Sequence, residues 1–430
     1  MLRAFVNAFK VPDLRNKIFF TLFIIALYRF GSHVPVPVVD IGILRTAMEQ
    51  QGQQGFLNFI DLFSGGALTR MAVFGLGIMP YITSSIIMQL LTVVIPKLEQ
   101  WQKQGEQGIK KINQWTRYVT VVLALLQSTG LVFLFHSPNA TTGLGVDIFP
   151  PGEFTAANVS LIVLVMTAGT AMIMWMGELI TQRGIGNGMS VLIFTSVISR
   201  LPQEGRSILR SSGDLKFAVV LVMGLAIIVA VIFLEQGQRR IPVQYAKRVV
   251  GRRMTSGGST YIPLKVNQAG VIPIIFASSL LYFPTLIASV YHADWFQTFV
   301  NNHLTNTRSF VYMAIYGLLV VFFAYFYTAI AFNPVDTADN LRKYGGFVPG
   351  IRPGPPTADY LSFVLNRITL PGSVYLAVIA LLPSIVFAFW VIAQFPFGGT
   401  SLLITVGVAL ETMKQLESQL MMRHYEGFLK

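Results

Sequence analysis

At 430 residues, 53% hydrophobic and only 12% charged, the chain is too apolar for a soluble domain, which carries roughly a quarter charged residues. It has no cysteine, which excludes disulfides, thiol catalysis and Cys-based metal sites. The net charge of +13 is read as basic cytoplasmic loops of a membrane protein rather than as a nucleic-acid surface.

Residues 1–17 are basic and amphipathic (Arg3, Lys10, Arg15, Lys17), and an apolar run follows at 18–38. That run is longer than a signal-peptide core and ends in PVP, not in a small-residue cleavage site, so it is read as a retained first span. Nine more apolar runs fall near 71–95, 116–136, 158–178, 185–201, 216–235, 267–290, 309–332, 372–394 and 399–416. Each approaches the roughly 20 residues that cross a bilayer core of about 30 Å. The expected fold is therefore an all-α polytopic membrane protein of ten transmembrane helices. Only Arg45, Arg70, Arg200, Arg206, Arg210, Lys216 and Arg308 lie in one set of alternating loops, and Arg29 lies within the first span. The remaining Lys and Arg residues crowd the opposite side, which places both termini in the cytoplasm.

Between the first two spans, residues 56–70 (FLNFIDLFSGGALTR) are apolar enough to enter a membrane and too short to cross it. Ser64-Gly65-Gly66 interrupts them, and irregular backbone at membrane depth survives only where protein or a water-filled cavity surrounds it. An interfacial helix on the outer surface is the other reading.

Splitting the ten spans into five and five exposes two internal matches. Gly77-Ile78-Met79-Pro80 in the second span answers Gly270-Val271-Ile272-Pro273 in the seventh, and both are expected to loosen an apolar helix. Gly188-Met189-Ser190-Val191-Leu192-Ile193 in the fifth answers Gly399-Thr400-Ser401-Leu402-Leu403-Ile404 in the tenth. An odd number of spans per half makes such a repeat inverted in the membrane, as in many transporters and channels.

The spans hold almost no ionisable residues, which argues against an ion-coupled carrier or pump. Arg29 is expected to snorkel at the outer end of the first span, and Glu178, Glu235 and Glu411 sit near cytoplasmic ends. The five histidines lie in loops, at span ends or in the tail without metal-ligand spacing, and Ser190 and Ser401 have no base nearby. No cofactor and no catalysis are expected. Gln89 and Asn187 are amides in spans, near Thr83, Ser84 and Ser85, and read equally as an interhelical polar pair or as ordinary packing. The loops at 235–266 and 333–367 are long for connectors, which favours function, although a solvated charge cluster explains their sign. The stretch GFVPGIRPG within the second has the Pro and Gly of a rigid tip.

The stretches LFSGGALTRMAVFGLGIMPYITSSIIMQLL, ELITQRGIGNGMSVLIF, GQRRIPVQYAKRVVGRR, VNQAGVIPIIFASS, GFVPGIRPG and FGGTSLLI resemble the signature segments of the SecY family, and the ten-span layout fits end to end. The resemblance implies two inverted five-helix halves around a central hourglass pore. It divides the chain into an N-terminal half (1–201), a hinge loop (202–215), a C-terminal half (216–416) with cytoplasmic loops at about 236–266 and 333–367, and a cytoplasmic tail (417–430). It implies a pore ring of Ile78, Ile82, Ile193, Ile275 and Ile404, with Met189 as a flexible further position. Residues 56–70 become a short plug helix, with Phe59, Asp61, Phe63, Ser64, Gly65 and Gly66 within it, and Gln89 and Asn187 match polar positions near the plug and gate. A lateral gate between spans two–three and seven–eight opens toward lipid for signal peptides and nascent membrane helices. Arg239, Arg240, Arg248 and Arg352 match basic contacts for the motor ATPase SecA or a translating ribosome, since the guanidinium fork binds carboxylate or phosphate bidentately. SecE and SecG subunits are the expected companions in the bacterial cytoplasmic membrane, with energy supplied by a partner. An ion-coupled secondary transporter and an intramembrane enzyme are the rivals.

Overall fold

A computed structural model describes residues 9–40, 42–44, 61, 63–136, 149–150, 152–245, 248–250, 253–255, 258–290, 294–305, 309–389 and 399–426. Helix α1 (Pro12–Gly31) begins on a proline, whose missing N–H costs nothing in a first turn. The chain then reverses, and the second span departs from expectation. Residues 71–78 are turns rather than helix, and α2 starts only at Met79 (Met79–Val94). The reason is a tertiary pairing: the Val36 N–H donates to the Met71 carbonyl at 2.7 Å and the Val73 N–H to the Val34 carbonyl at 2.9 Å. These bonds satisfy backbone groups that a helix would otherwise have paired locally.

The two G-x-x-P elements are helix starts, not helix breaks. Gly77 and Gly270 take φ of 57° and 60°, and Pro80 and Pro273 are the second residues of α2 and α7. A left-handed glycine turns the chain and the proline, which needs no N–H partner there, opens the helix. The fifth-span elements behave alike: Gly188 and Gly399 are the first residues of α6 and α12.

After α2 the chain bends by 100° into α3 (Pro96–Lys103), with Ile95 extended because a proline follows it. Helices α4 (Glu106–His136) and α5 (Ala156–Arg183) follow. Then α6 (Gly188–Gln236) runs for 49 residues and contains Pro202. Residues 202–215, expected as a hinge loop, are therefore helical. Their Gln, Glu, Arg, Leu and Ile are adequate helix formers, and helix on either side removes the cost of nucleation.

The C-terminal half comprises the rest of α6, α7 (Ile272–Val290), α8 (Asp294–Phe299), α9 (Phe310–Ala331), α10 (Pro334–Lys343), α11 (Pro355–Phe389) and α12 (Gly399–Glu426). Each of the ten apolar runs contains a helical stretch, two of them sharing α6. Judged by length and apolarity, five described stretches can each cross a membrane, or six if the bent pair α2–α3 is one span. Across the boundary between halves, α7 touches α2 and α4.

The two long loops build one structure. Strand β1 (Gln238–Tyr245) pairs antiparallel with β4 (Ser259–Lys265), Arg240 standing opposite Pro263. The other edge of β1 pairs with β5 (Gly346–Phe347), which comes from the second loop. Between β1 and β4 lies a small hairpin, β2 (Arg248–Val250) and β3 (Arg253–Thr255). Ile241 and Leu264 of the first loop share an apolar core with Val348 of the second and with Leu361 and Val364 of α11.

Candidate functional site

The largest apolar cluster of the molecule draws on both halves and contains Ile78, Ile82, Ile193, Ile275 and Ile404 together with Met189. They reach it from four separate places: the start of α2, the first turns of α6, the start of α7 and the second turn of α12. The paired helix starts explain why. Ile82 and Ile275 are the fourth residues of α2 and α7, and Ile193 and Ile404 the sixth of α6 and α12, so paired starts deliver isoleucines at matching depths. All six side chains are buried, Ile404 completely.

Phe63 of the irregular segment sits in this same cluster and is fully buried. Around it, the described part of 56–70 folds into a compact knot. Asp61 to Ser64 is helical in its described residues, Gly65 and Gly66 turn at φ 67° and 85°, and Leu68–Arg70 makes a short 3₁₀ turn. The Asp61 carboxylate closes the knot by accepting from the Thr69 N–H at 3.1 Å, and Ser64 Oγ accepts from the Leu68 N–H at 3.2 Å. Phe59 lies outside the described residues.

Polar side chains from α1 and α6 hold the knot. Arg29 Nη1 donates to the Gly65 carbonyl at 3.0 Å and to Ser199 Oγ at 2.9 Å. Arg200 Nη1 stands 3.1 Å from Asp61 Oδ2, with the two side chains only 12% and 2% exposed. Breaking a buried pair of this kind by removing one partner costs about 3–5 kcal/mol. The Tyr28 hydroxyl shares a hydrogen with Ser196 Oγ at 2.6 Å and approaches the Ser64 carbonyl at 3.4 Å, while its ring stacks on Phe74 at 5.9 Å.

The sequence did not single out these partners: Arg29 was expected to snorkel and Arg200 to lie in an outer loop. A usable signal was present, because Asp61 is an acid inside an apolar segment and such a residue needs a named cation. The two amides stand in different settings. Asn187 is exposed, and its Oδ1 accepts from the Met189 N–H at 3.1 Å, which makes it the N-cap of α6. Asn is a preferred cap because its short side chain reaches an orphan N–H of the first turn. Gln89 is half-buried in α2, and no described hydrogen bond joins it to Asn187. Among the described residues, no cluster of potential metal ligands occurs.

Arg239 and Arg240 stand exposed on β1, the latter with its guanidinium 4.8 Å above the Tyr261 ring. Arg352 is exposed at the tip bounded by Gly350 and Gly354, both left-handed, and Arg248 lies on β2.

Two helical halves meeting at one apolar waist, with a short segment seated on it, define a multi-span channel fold. Solved structures carry the same fold: a protein-conducting channel at TM-score 0.64 with 15% identity, and Sec61 in the canine ribosome–channel complex at TM-score 0.61 with 15% identity, each covering 96% of both chains. A family model of SecY matches residues 72–413. Protein translocase subunits SecY of Streptomyces coelicolor and Mycobacterium bovis are 55% and 53% identical over the whole of this chain and of theirs. The chain belongs to the SecY family.

Proposed function

We propose that the chain is the protein-conducting subunit of a translocase in the bacterial cytoplasmic membrane, with both termini in the cytoplasm. It passes unfolded secretory polypeptides and releases membrane-protein helices sideways, between α2–α4 and α7–α9. The observation that carries this reading is the single buried cluster in which five isoleucines from four segments meet Phe63 of the plug. A chain of any sequence must pass, so hydrogen-bonding groups at the waist would stall some segments. Aliphatic side chains favour none, and a narrow apolar constriction without a chain dewets and resists ions.

The sheet built from the two loops is the docking face for a partner that supplies the energy, the motor SecA or a translating ribosome. Exposed Arg239, Arg240 and Arg352 support this, as does the ribosome complex formed by the canine structural neighbour. SecE and SecG subunits complete the assembly, and signal peptides, nascent chains and lipids meet it at the lateral gate. Ile82→Asn and Ile404→Asn test the gasket, because a buried amide without a partner costs about 1–3 kcal/mol and invites water into the waist. Resting ion conductance of the reconstituted complex rises in both variants; a waist that stays tight in both would remove the gasket role.

A further inference from the structure

The apolar waist gives no work to Arg29 and Arg200, yet both cations point at the plug from inside the same half. Arg29 reaches the Gly65 carbonyl and Ser199, and Arg200 faces the Asp61 carboxylate. Tyr28 joins Ser196 and approaches the Ser64 carbonyl. Contacts from α1 and α6 thus close on Asp61, Ser64 and Gly65, three positions around the turn of the knot. A Cβ built at Gly65 would lie 2.9 Å from Arg29 Nη1 and 3.1 Å from the Ser196 Cα, so the plug backbone is pressed against this polar wall.

Resting on the reading of residues 56–70 as the plug, we propose that Arg29 and Arg200 are its latch: positioning residues whose polar contacts, beyond the apolar seat, set how often the resting channel opens. The chemistry is suited to a latch rather than to permanent anchoring. Phe63 enters an apolar cluster and is gripped without direction, whereas the Asp61–Arg200 pair and the Arg29–Gly65 bond are lost together once the knot moves by little more than a hydrogen-bond length. Because α1 and the first turns of α6 belong to the N-terminal half, parting the halves between α2 and α7 breaks none of these contacts. Gate opening and plug release are then separate events.

The test is resting ion conductance of the complete reconstituted channel complex in planar bilayers. Arg200→Asp is expected to raise the open fraction about a hundredfold, equivalent to about 2.7 kcal/mol. Arg200→Lys, which keeps a cation facing Asp61 and leaves the Asp61 acceptor of the Thr69 N–H in place, stays within about tenfold of the parent, which a general loss of packing would not give. Arg29→Gln raises conductance and Arg29→Lys, which keeps a charged donor, raises it less. Should Arg200→Asp fail to assemble, Arg200→Gln is read in its place by the same criteria. Conductance at the parent level in both the Arg200 and Arg29→Gln variants overturns the latch. If Ile404→Asn leaks in the same series, the channel reading stands without the latch; if Ile404→Asn is also tight, the gasket falls with it. A rise in Arg200→Asp that Arg200→Lys shows in full also overturns it.

Discussion

Gly77 and Gly270 occupy equivalent places in the two halves and share one backbone conformation, φ 57° and 60°, each two residues ahead of a helix with proline in its first turn. Their surroundings are unlike. A Cβ at Gly77 would stand 2.9 Å from the Phe63 carbonyl oxygen and 2.9 Å from the Ser64 Cα, whereas a Cβ at Gly270 would meet nothing within 4 Å. The Gly270 carbonyl is held instead by Asn267 Nδ2 at 3.0 Å, and Asn267 also donates to the Glu235 carboxylate at 2.5 Å. The motif prescribes the turn; what covers the turn is settled by the rest of the fold. One half offers its turn as a floor for the segment that carries Phe63 and Ser64, and the other fixes its turn with a side-chain clamp.

Substitutions can break this contrast. Gly77→Ala should have the largest effect, since a left-handed alanine costs about 1–2 kcal/mol and crowding the plug backbone adds about 1–3 kcal/mol. The expected outcome is raised resting conductance together with a lower thermal unfolding midpoint in detergent. Asn267→Ala removes a donor from the Glu235 carboxylate and from the Gly270 carbonyl, and a lost bond to a charged group is worth about 1.5–3 kcal/mol. Here the unfolding midpoint should fall while resting conductance stays at the parent level; a leak would show that the clamp serves the seal after all. Gly270→Ala should cost only the left-handed penalty of about 1–2 kcal/mol, read as a smaller drop in midpoint than Gly77→Ala gives. Smallest is Asn187→Ala, where loss of an N-cap costs about 1 kcal/mol and leaves conductance unchanged. Equal conductance in Gly77→Ala and Gly270→Ala would erase the distinction between floor and clamp.

Much of this architecture is legible in the sequence because apolar runs of membrane length have few alternatives to helix. Where helices begin was less legible. Residues 71–78 are as apolar as the helix after them, and pairing with 34–36, distant in sequence, together with left-handed Met71 and Gly77 keeps them out of it. The opposite error occurred at 202–215, which the resemblance gave as a hinge loop and through which helix continues. At the waist, the repeated elements marked the helices that deliver Ile78, Ile193, Ile275 and Ile404, because a repeat preserves local geometry. The grip on the plug was hidden, because Arg29 and Arg200 lie 171 positions apart and only the folded α1–α6 contact brings them to one segment. The capping role of Asn187 was readable but not drawn: an amide just before a glycine-led helix is first of all a cap.

The composite sheet has a mechanical meaning. Its strands β1 and β4 join α6 to α7, and β5 joins α10 to α11, so every connection leads into the C-terminal half. The attachment is tight as well: the Val266 N–H donates to the Gly237 carbonyl at 2.9 Å at the base of the hairpin, and α11 passes so close that any side chain at Gly372 would collide with the Val266 carbonyl. A load applied to the sheet is therefore delivered first to α7, α10 and α11, and α6, which also carries Ser196, Ser199 and Arg200, is the element that links it to the segment around Asp61. The sheet is thus a handle whose shaft is α6, one rod running from the loop strands to the side chains that grip Asp61 and Gly65.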